Sequence, residues 1–315
     1  MKKILFATTA LVATAGVASA EVAVSGYAEM GLSGTQDTPV QYHTDVDVTF
    51  EMSGEADSGL SFGTAVDLDE SVEDDAFDAS DDGGVSIYIA YDAAKLTMGD
   101  TDGAFDAALN EAIIGSSIGD NHEHAGYNGN SGFDGTHDDQ IATFEYGFEG
   151  FTGYLSAEIS DTGYDEVFNP VPGTVWGVGA KYSVELASLT VGVGVGLQGY
   201  DDNTIWGFSA DTTFNNGVQA IFNYSSKDVV GDELVEHIGL ALGYTWNEIN
   251  FGVNYGVYLG GEVGEDYSEG IGLAAGYDLG GGLEAQFGYG YGYTVEDDIF
   301  QGDDETWSLG LAMSF

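Results

Sequence analysis

From Gln41 to Ser53 the chain reads QYHTDVDVTFEMS. Tyr42, Thr44, Val46, Val48, Phe50 and Met52 fall on one set of alternate positions, while Gln41, His43, Asp45, Asp47 and Glu51 fall on the other. Successive side chains of a strand point to opposite faces, so this is one extended segment with a greasy face and a charged face. The pattern returns in VAVSGYAEMGLS, LSFGTAVDL, FTGYLSAEIS, LTVGVGVGLQ, INFGVNYGVYL and LEAQFGYGYGYT. In LTVGVGVGLQ the apolar positions are opposed only by Thr190, Gly192, Gly194, Gly196 and Gln198. Nothing after Glu21 has the periodicity of a long helix or the apolar run of a membrane-spanning one.

A soluble sandwich also alternates, because each sheet has one buried and one wet face. Segment length separates the two readings: these run about nine to thirteen residues, the length a tilted strand needs to cross a bilayer. Strands are expected near 22–33, 41–53, 59–68, 84–91, 94–99, 139–147, 150–160, 174–184, 188–198, 203–214, 217–226, 235–246, 249–259, 269–278, 282–294 and 304–315, an even sixteen. Short turns such as Asp92-Ala93, Asn215-Asn216 and Asn247-Glu248 follow the even strands, and longer acidic stretches follow the odd ones. That alternation is the mark of an outer-membrane barrel with its short turns in the periplasm. Closure also satisfies every backbone hydrogen bond in lipid, which an open sheet does not. The expected fold is therefore all-β, a transmembrane antiparallel β-barrel of sixteen strands. Tyr224, Tyr244, Trp246, Tyr255, Tyr277, Tyr289, Tyr291 and Trp307 suit interfacial girdles.

Charge is partitioned in the same way. Residues 67–82, DLDESVEDDAFDASDD, hold nine acids in sixteen positions, further acidic runs fall at 161–166, 228–236, 262–269 and 296–305, and the charge is expected in loops or on the non-greasy strand face. The first twenty residues, MKKILFATTALVATAGVASA, have two lysines, an apolar stretch and an Ala-Ser-Ala ending, and are expected to be a signal peptide cleaved before Glu21. Its removal takes two lysines and no acid from a net charge of −49, leaving −51. With only three lysines and no arginine left, nucleic-acid binding is excluded, since phosphate contacts need basic side chains. The chain has no cysteine, so no disulfide supports it.

One connection is far longer than a strand link requires. GDTDGAFDAALNEAIIGSSIGDNHEHAGYNGNSGFDGTHDD follows the fifth strand and contains nine acids and no lysine, and its AFDAALNEAI segment has helical composition. Here the chain acquires a specific likeness. GDTDGAFD directly after a strand, the EVAVSGYAEMGL start, the FEMSGEADSGLSFG hairpin and the TWSLGLAMSF end together resemble the trimeric 16-stranded general porins of alphaproteobacteria, over essentially the whole chain. The resemblance implies that the third long loop, about 100–138, folds into the lumen and puts Asp100, Asp102, Asp106 and Glu111 at a constriction within a single barrel domain, 21–315. It implies a homotrimer with the 67–82 loop against a neighbouring subunit, pairing of the last strand with the first, and recognition of the terminal Phe315 by the insertion machinery.

The family's usual eyelet opposes its acids with basic side chains on the wall, and here this sequence departs. The inward faces of the first three strands are expected to carry Glu29, His43, Asp45, Asp47, Glu51 and Asp67, with Lys95 and Lys181 inward near the periplasmic rim. Rings of Asp and Glu enrich cations and repel anions. The expectation is a water-filled, cation-preferring diffusion channel for ions and small hydrophilic solutes, set in outer-membrane lipid. No cofactor is required. Family members bind calcium, which takes several oxygen ligands, so Asp100-x-Asp102 or Asp67-x-Asp69 could contribute to such a site.

Catalysis has little support. His122-Glu123-His124 and His137 lie in the long loop, and His43 and His237 on strands. Two histidines one residue apart would straddle a strand, so zinc would need further ligands. No nucleophile-elbow motif surrounds a serine that could pair with His43 or His237. The competing readings are a structural or adhesive barrel with a plugged lumen, a secreted soluble calcium-binding β protein, and a barrel esterase. The short loops speak against the first, and the turn and loop alternation against the second.

Overall fold

The computed structural model describes residues 21–70, 80–137, 140–159, 173–230, 234–260, 266–296 and 299–315. The signal segment and the centre of the 67–82 acidic run lie outside the described residues, as does all of 161–166. Sixteen strands follow one another: β1 (Glu21–Thr35), β2 (Gln41–Glu55), β3 (Ser61–Glu70), β4 (Ser80–Tyr91), β5 (Ala94–Gly99), β6 (Ile141–Phe148), β7 (Phe151–Glu158) and β8 (Val175–Glu185) form the first half. The second half is β9 (Leu189–Tyr200), β10 (Asn203–Phe214), β11 (Val218–Asp228), β12 (Val235–Trp246), β13 (Ile249–Gly260), β14 (Asp266–Gly280), β15 (Leu283–Glu296) and β16 (Ile299–Ser314). Each pairs antiparallel with its neighbours in sequence, and β16 pairs with β1 to close the barrel. At the seam Met30 faces Leu311 and Leu32 faces Leu309, and Phe315 and Gly26 exchange backbone hydrogen bonds. No sheet edge is left, which is the condition for a sheet in lipid.

The alternation read from the sequence becomes an outside and an inside. Val46, Met52, Ile87, Ile89, Val193, Val195, Leu240, Leu242 and Leu309 are exposed on the outer surface. Their opposite-parity neighbours point inward, and many, such as Gln198, Ser209, Asn223, Asn254 and Ser308, are fully buried. Tyr244, Trp246 and Tyr277 are exposed near the short-turn rim, and Trp176, Trp206 and Tyr255 toward the other.

Two expectations about connections need correction. The hairpins run farther than the expected strand ends: β11 reaches Asp228 rather than 226, β14 begins at Asp266 rather than 269, and β16 begins at Ile299 rather than 304, so that Asp303 is paired within it. Hairpins continue past the apolar band because ladder pairing satisfies the backbone there, while Asp228, Asp303 and Asp304 stay exposed to water. Nor is every connection after an odd strand long. Asp201-Asp202 alone joins β9 to β10, with Asp201 in the left-handed region at φ 52° that a tight hairpin needs.

Candidate functional site

Between β5 and β6 the chain turns into the barrel. A short helix, α1 (Ala104–Ala108), lies against β7, β8 and β9, and a 3-10 turn at Ile118–Asp120 lies against β15, β16, β1 and β2. The loop then returns along the same wall. The helical stretch suggested by AFDAALNEAI ends early, at Leu109 with extended backbone (φ −102°, ψ 151°). The wall supplies the reason: Asn110 donates its N–H to Ser209 Oγ (2.8 Å) and accepts from Asn223 Nδ2 (2.8 Å), so these backbone groups are satisfied without a further helical turn.

Three features seat the loop. Phe105, Leu109 and Phe133 bury themselves against the inward Val175 and Ile205. Inward polar side chains bond its backbone: Ser156 Oγ to Ala104 N, Gln198 Oε1 to Phe133 N, Glu158 Oε1 to His137 N and Glu29 Oε2 to Gly119 N. Finally, the wall there is made of glycine. A Cβ at Gly194 would stand 2.0 Å from the Ala108 carbonyl oxygen, one at Gly252 1.7 Å from that of Ile114, and one at Gly272 1.8 Å from that of His122. No side chain fits between wall and loop at these places. Gly194 and Gly196 of LTVGVGVGLQ, legible as part of a featureless inner face, thus belong to the bed of the loop.

The acids fall into two groups. Within the loop, Asp102 and Glu111 act electrostatically on Asp106, and Asp120 and Glu111 on Glu123. Burial, followed by the charges of Asp102, Glu111 and Asp134, pushes Asp106 up to about 7. Burial, then Asp120 and Glu111, pushes Glu123 up to about 7. Burial raises Glu111 as well, opposed by the hydrogen bond from Tyr127 OH (2.6 Å). Asp120 and Glu123 were not singled out in the sequence, because nothing in the local pattern says which loop acids the fold will gather. Asp100 stands apart from this group, with its carboxylate over Gly84 of β4. The carbonyl of Asp102 accepts from Thr143 of β6 (2.7 Å).

On the wall, Asp45, Asp47, Glu51 and Asp67 project inward from β2 and β3, opposite in parity to the exposed Val46, Met52 and Leu68. Thr49 donates to Asp67 (2.9 Å). Glu29 also points inward but is only 7% exposed, beneath the loop, where it accepts from Tyr27 OH, His43 Nε2 and Gly119 N. Glu29 and His43 are therefore loop anchors rather than open wall. Among the described residues, Asp45, Asp47 and Asp69 bring ligand atoms within 4.8 Å of one another, so of the four acids named for calcium only Asp69 joins a cluster.

The lysines are engaged elsewhere. Lys95 sits over the Tyr88 ring (5.2 Å), Lys181 over Tyr154 (5.1 Å) and Lys227 over Phe133 (4.6 Å). Lys181 and Lys227 also donate to the loop carbonyls of Ala107 and Gly132, each at 3.1 Å. Lys181 is thus at the level of the loop rather than at the rim. The histidines likewise serve contacts: His122 with Ser117, His124 with Asn254, His237 with Gly126, and His137 against the Tyr200 ring.

A closed antiparallel barrel, apolar outside and polar inside, with a long loop laid against its inner wall, defines a membrane-spanning channel barrel. The chain belongs to the Gram-negative porin family, whose model matches residues 7–298. A porin structure refined at 1.8 Å resolution superposes with a TM-score of 0.69 at 22% identity, covering 94% of this chain and 100% of that one. Variants of Rh. blastica porin superpose with TM-scores of 0.63 at 19% identity, covering 93% of this chain and 100% of theirs. No curated protein matches the chain by sequence. Porins are non-enzymatic channels of the outer membrane, and this chain is an outer-membrane porin that inserts as a barrel and passes solutes.

Proposed function

We propose that this porin is a diffusion channel for ions and small hydrophilic solutes with a preference for cations. Asp102, Asp106 and Glu111, joined by Asp120 and Glu123, form one side of its narrowest part, and Asp45, Asp47, Glu51 and Asp67 form the other, with Asp100 at the loop entrance. The observation that carries this reading is the disposition of charge. Carboxylates occupy both the loop and the β2–β3 wall, while Lys95, Lys181 and Lys227 lie on aromatic rings and, in two cases, loop carbonyls. A lumen of one sign concentrates counter-ions and raises their flux. A cation in transit would meet the group formed by Asp45, Asp47 and Asp69, and divalent calcium would interact with it more strongly than potassium. The working form is a homotrimer of chains that have lost residues 1–20, testable by mass measurement of the detergent-extracted protein.

The decisive measurement is a planar-bilayer recording in a KCl gradient. Stepwise conductance with a cation-selective reversal potential is expected, and the combined change Asp102→Asn, Asp106→Asn and Glu111→Gln should move that potential toward zero. Anion selectivity in the unaltered protein, or an unmoved potential in the variant, would show this account to be wrong.

A further inference from the structure

The return limb of the loop is fastened at one peptide group. Gly126 donates its N–H to His124 Nδ1 (3.1 Å), and its carbonyl accepts from His237 Nε2 (2.8 Å). The other ring nitrogens complete the assignment. His124 Nε2 donates to Asn254 Oδ1 (2.6 Å), and His237 Nδ1 accepts from Asn128 Nδ2 (3.3 Å). The amide orientations agree, because Asn254 Nδ2 points to the His122 carbonyl and Asn128 Oδ1 accepts from Asn130 N. Both imidazoles therefore carry their proton on Nε2 and present a bare Nδ1 to an N–H donor. Gly126 is itself pressed on Gly256, where a Cβ would stand 2.1 Å from its carbonyl oxygen. Next along the chain, Tyr127 accepts from Tyr258 OH at its carbonyl and donates its own hydroxyl to Glu111.

We propose that His124 and His237 are positioning residues of the pore: as neutral imidazoles they clamp the Gly126 peptide, hold Tyr127 and hence Glu111 in place, and release them in acid. The positioning of the pore charge rests on the reading of Glu111 as a lumen carboxylate. Protonation of either ring puts an N–H on Nδ1 facing the N–H of Gly126 or the amide of Asn128, and that hydrogen bond is lost. Burial already pushes the His124 ring below the ordinary histidine range, as expected for a group needed in its neutral form. The sign follows: a lowered folded-state value gives a contribution that is complete above about 6.5 and is lost as pH falls through the folded-state value.

The surrounding groups do not reverse this. From β13, Tyr258 stacks on His237 at 4.7 Å and Tyr255 lines the small cavity beside the clamp. From β11, Lys227 lies farther along the return limb, at Gly132. Within the loop, His122 is bonded to Ser117, Tyr127 to Glu111, and Glu123 precedes His124. Burial and the charges of Asp120 and Glu111 raise Glu123 to about 7, which weakens it as a counter-charge to an imidazolium at His124.

The test is hydrogen exchange of the 120–130 segment in detergent micelles, corrected for intrinsic rates, at about pH 8 and about pH 5, on either side of the ordinary histidine value. Unaltered protein should exchange at Gly126 about ten-fold faster in acid, the equivalent of roughly one hydrogen bond. The pair His124→Asn and His237→Gln keeps an acceptor for Gly126 N and a donor for its carbonyl without a titrating ring, and should stay protected at both pH values. The corresponding alanine pair should be unprotected at both. Equal protection of the unaltered protein at the two pH values, or the same acid loss in the Asn/Gln pair, overturns the clamp. Reversal potentials separate the two claims. The acid-induced fall in cation preference should be steeper in the unaltered protein than in the Asn/Gln pair, and coincident curves would overturn the positioning role. A Glu111→Gln channel with unchanged selectivity would instead overturn the reading of Glu111 on which that role depends.

Discussion

At the level of single residues, the decisive fact is that identical acids do different work according to what packs on them. Glu29, on an alternating strand like Asp45 and Asp47, is covered by the loop and bonded three ways. Asp106 sits on α1 among Asp102, Glu111 and Asp134, and burial with those charges lifts it to about 7. A carboxyl raised in the folded state favours the uncharged form. Its contribution to loop docking is therefore complete below about 4 and is lost as pH rises toward its folded-state value. Conduction has the opposite trend. Cation preference should grow as pH rises through about 7, when Asp106 and Glu123 ionise. Reversal potentials recorded across this range should show the step, and Asp106→Asn should reduce its amplitude by a visible fraction. A flat profile in the unaltered protein would mean that these carboxyls do not face the conducting path.

At the level of the element, the loop is held as a lining by apolar burial, side-chain bonds to its backbone and a glycine bed. Phe105 is fully buried, and truncation of such a side chain costs about 3–5 kcal/mol in a well-packed core. Phe105→Ala should free the first limb, seen as faster proteolysis within 103–112 while the barrel keeps its strand content by circular dichroism. Gly194→Leu attacks the same contact from the wall. Its Cβ would stand 2.0 Å from the Ala108 carbonyl, and overpacking of this kind costs about 1–3 kcal/mol. A displaced α1 should change single-channel conductance, and an unaltered conductance would show that the loop yields without moving into the path. The alternation of strands was legible because it repeats every second residue. The course of the loop was not, since AFDAALNEAI has helical composition and only Ser209 and Asn223, distant in sequence, end the helix at Leu109.

For the whole molecule, the excess of acid over base becomes a field as well as a solubility term. Among the described residues the acids stand on the extended hairpin ends, the loop and the inner wall, while the outer band remains apolar. Screening shortens the reach of that field from about 10 Å at 0.1 M salt to about 3 Å at 1 M. The ratio of cation to anion permeability should consequently fall as salt is raised at a fixed gradient ratio. A ratio independent of salt would point to contact coordination rather than to the field of the lumen.

The sequence by itself determined the barrel. A two-residue period, repeated over sixteen segments, most of them of membrane length, assigns each side chain to an inside or an outside, and closure follows because lipid satisfies no backbone hydrogen bond. It also determined the balance of charge, since a chain with five lysines and no arginine has little with which to oppose its acids. Only the tertiary structure decided where those acids stand and what the lysines do. Lys181 of β8 and Lys227 of β11 meet the loop at Ala107 and Gly132, and Glu29 of β1 meets it at Gly119. Such partners are set by the register of a closed sheet and the path of an aperiodic loop. A local pattern carries the direction of each side chain, but not what it will find there.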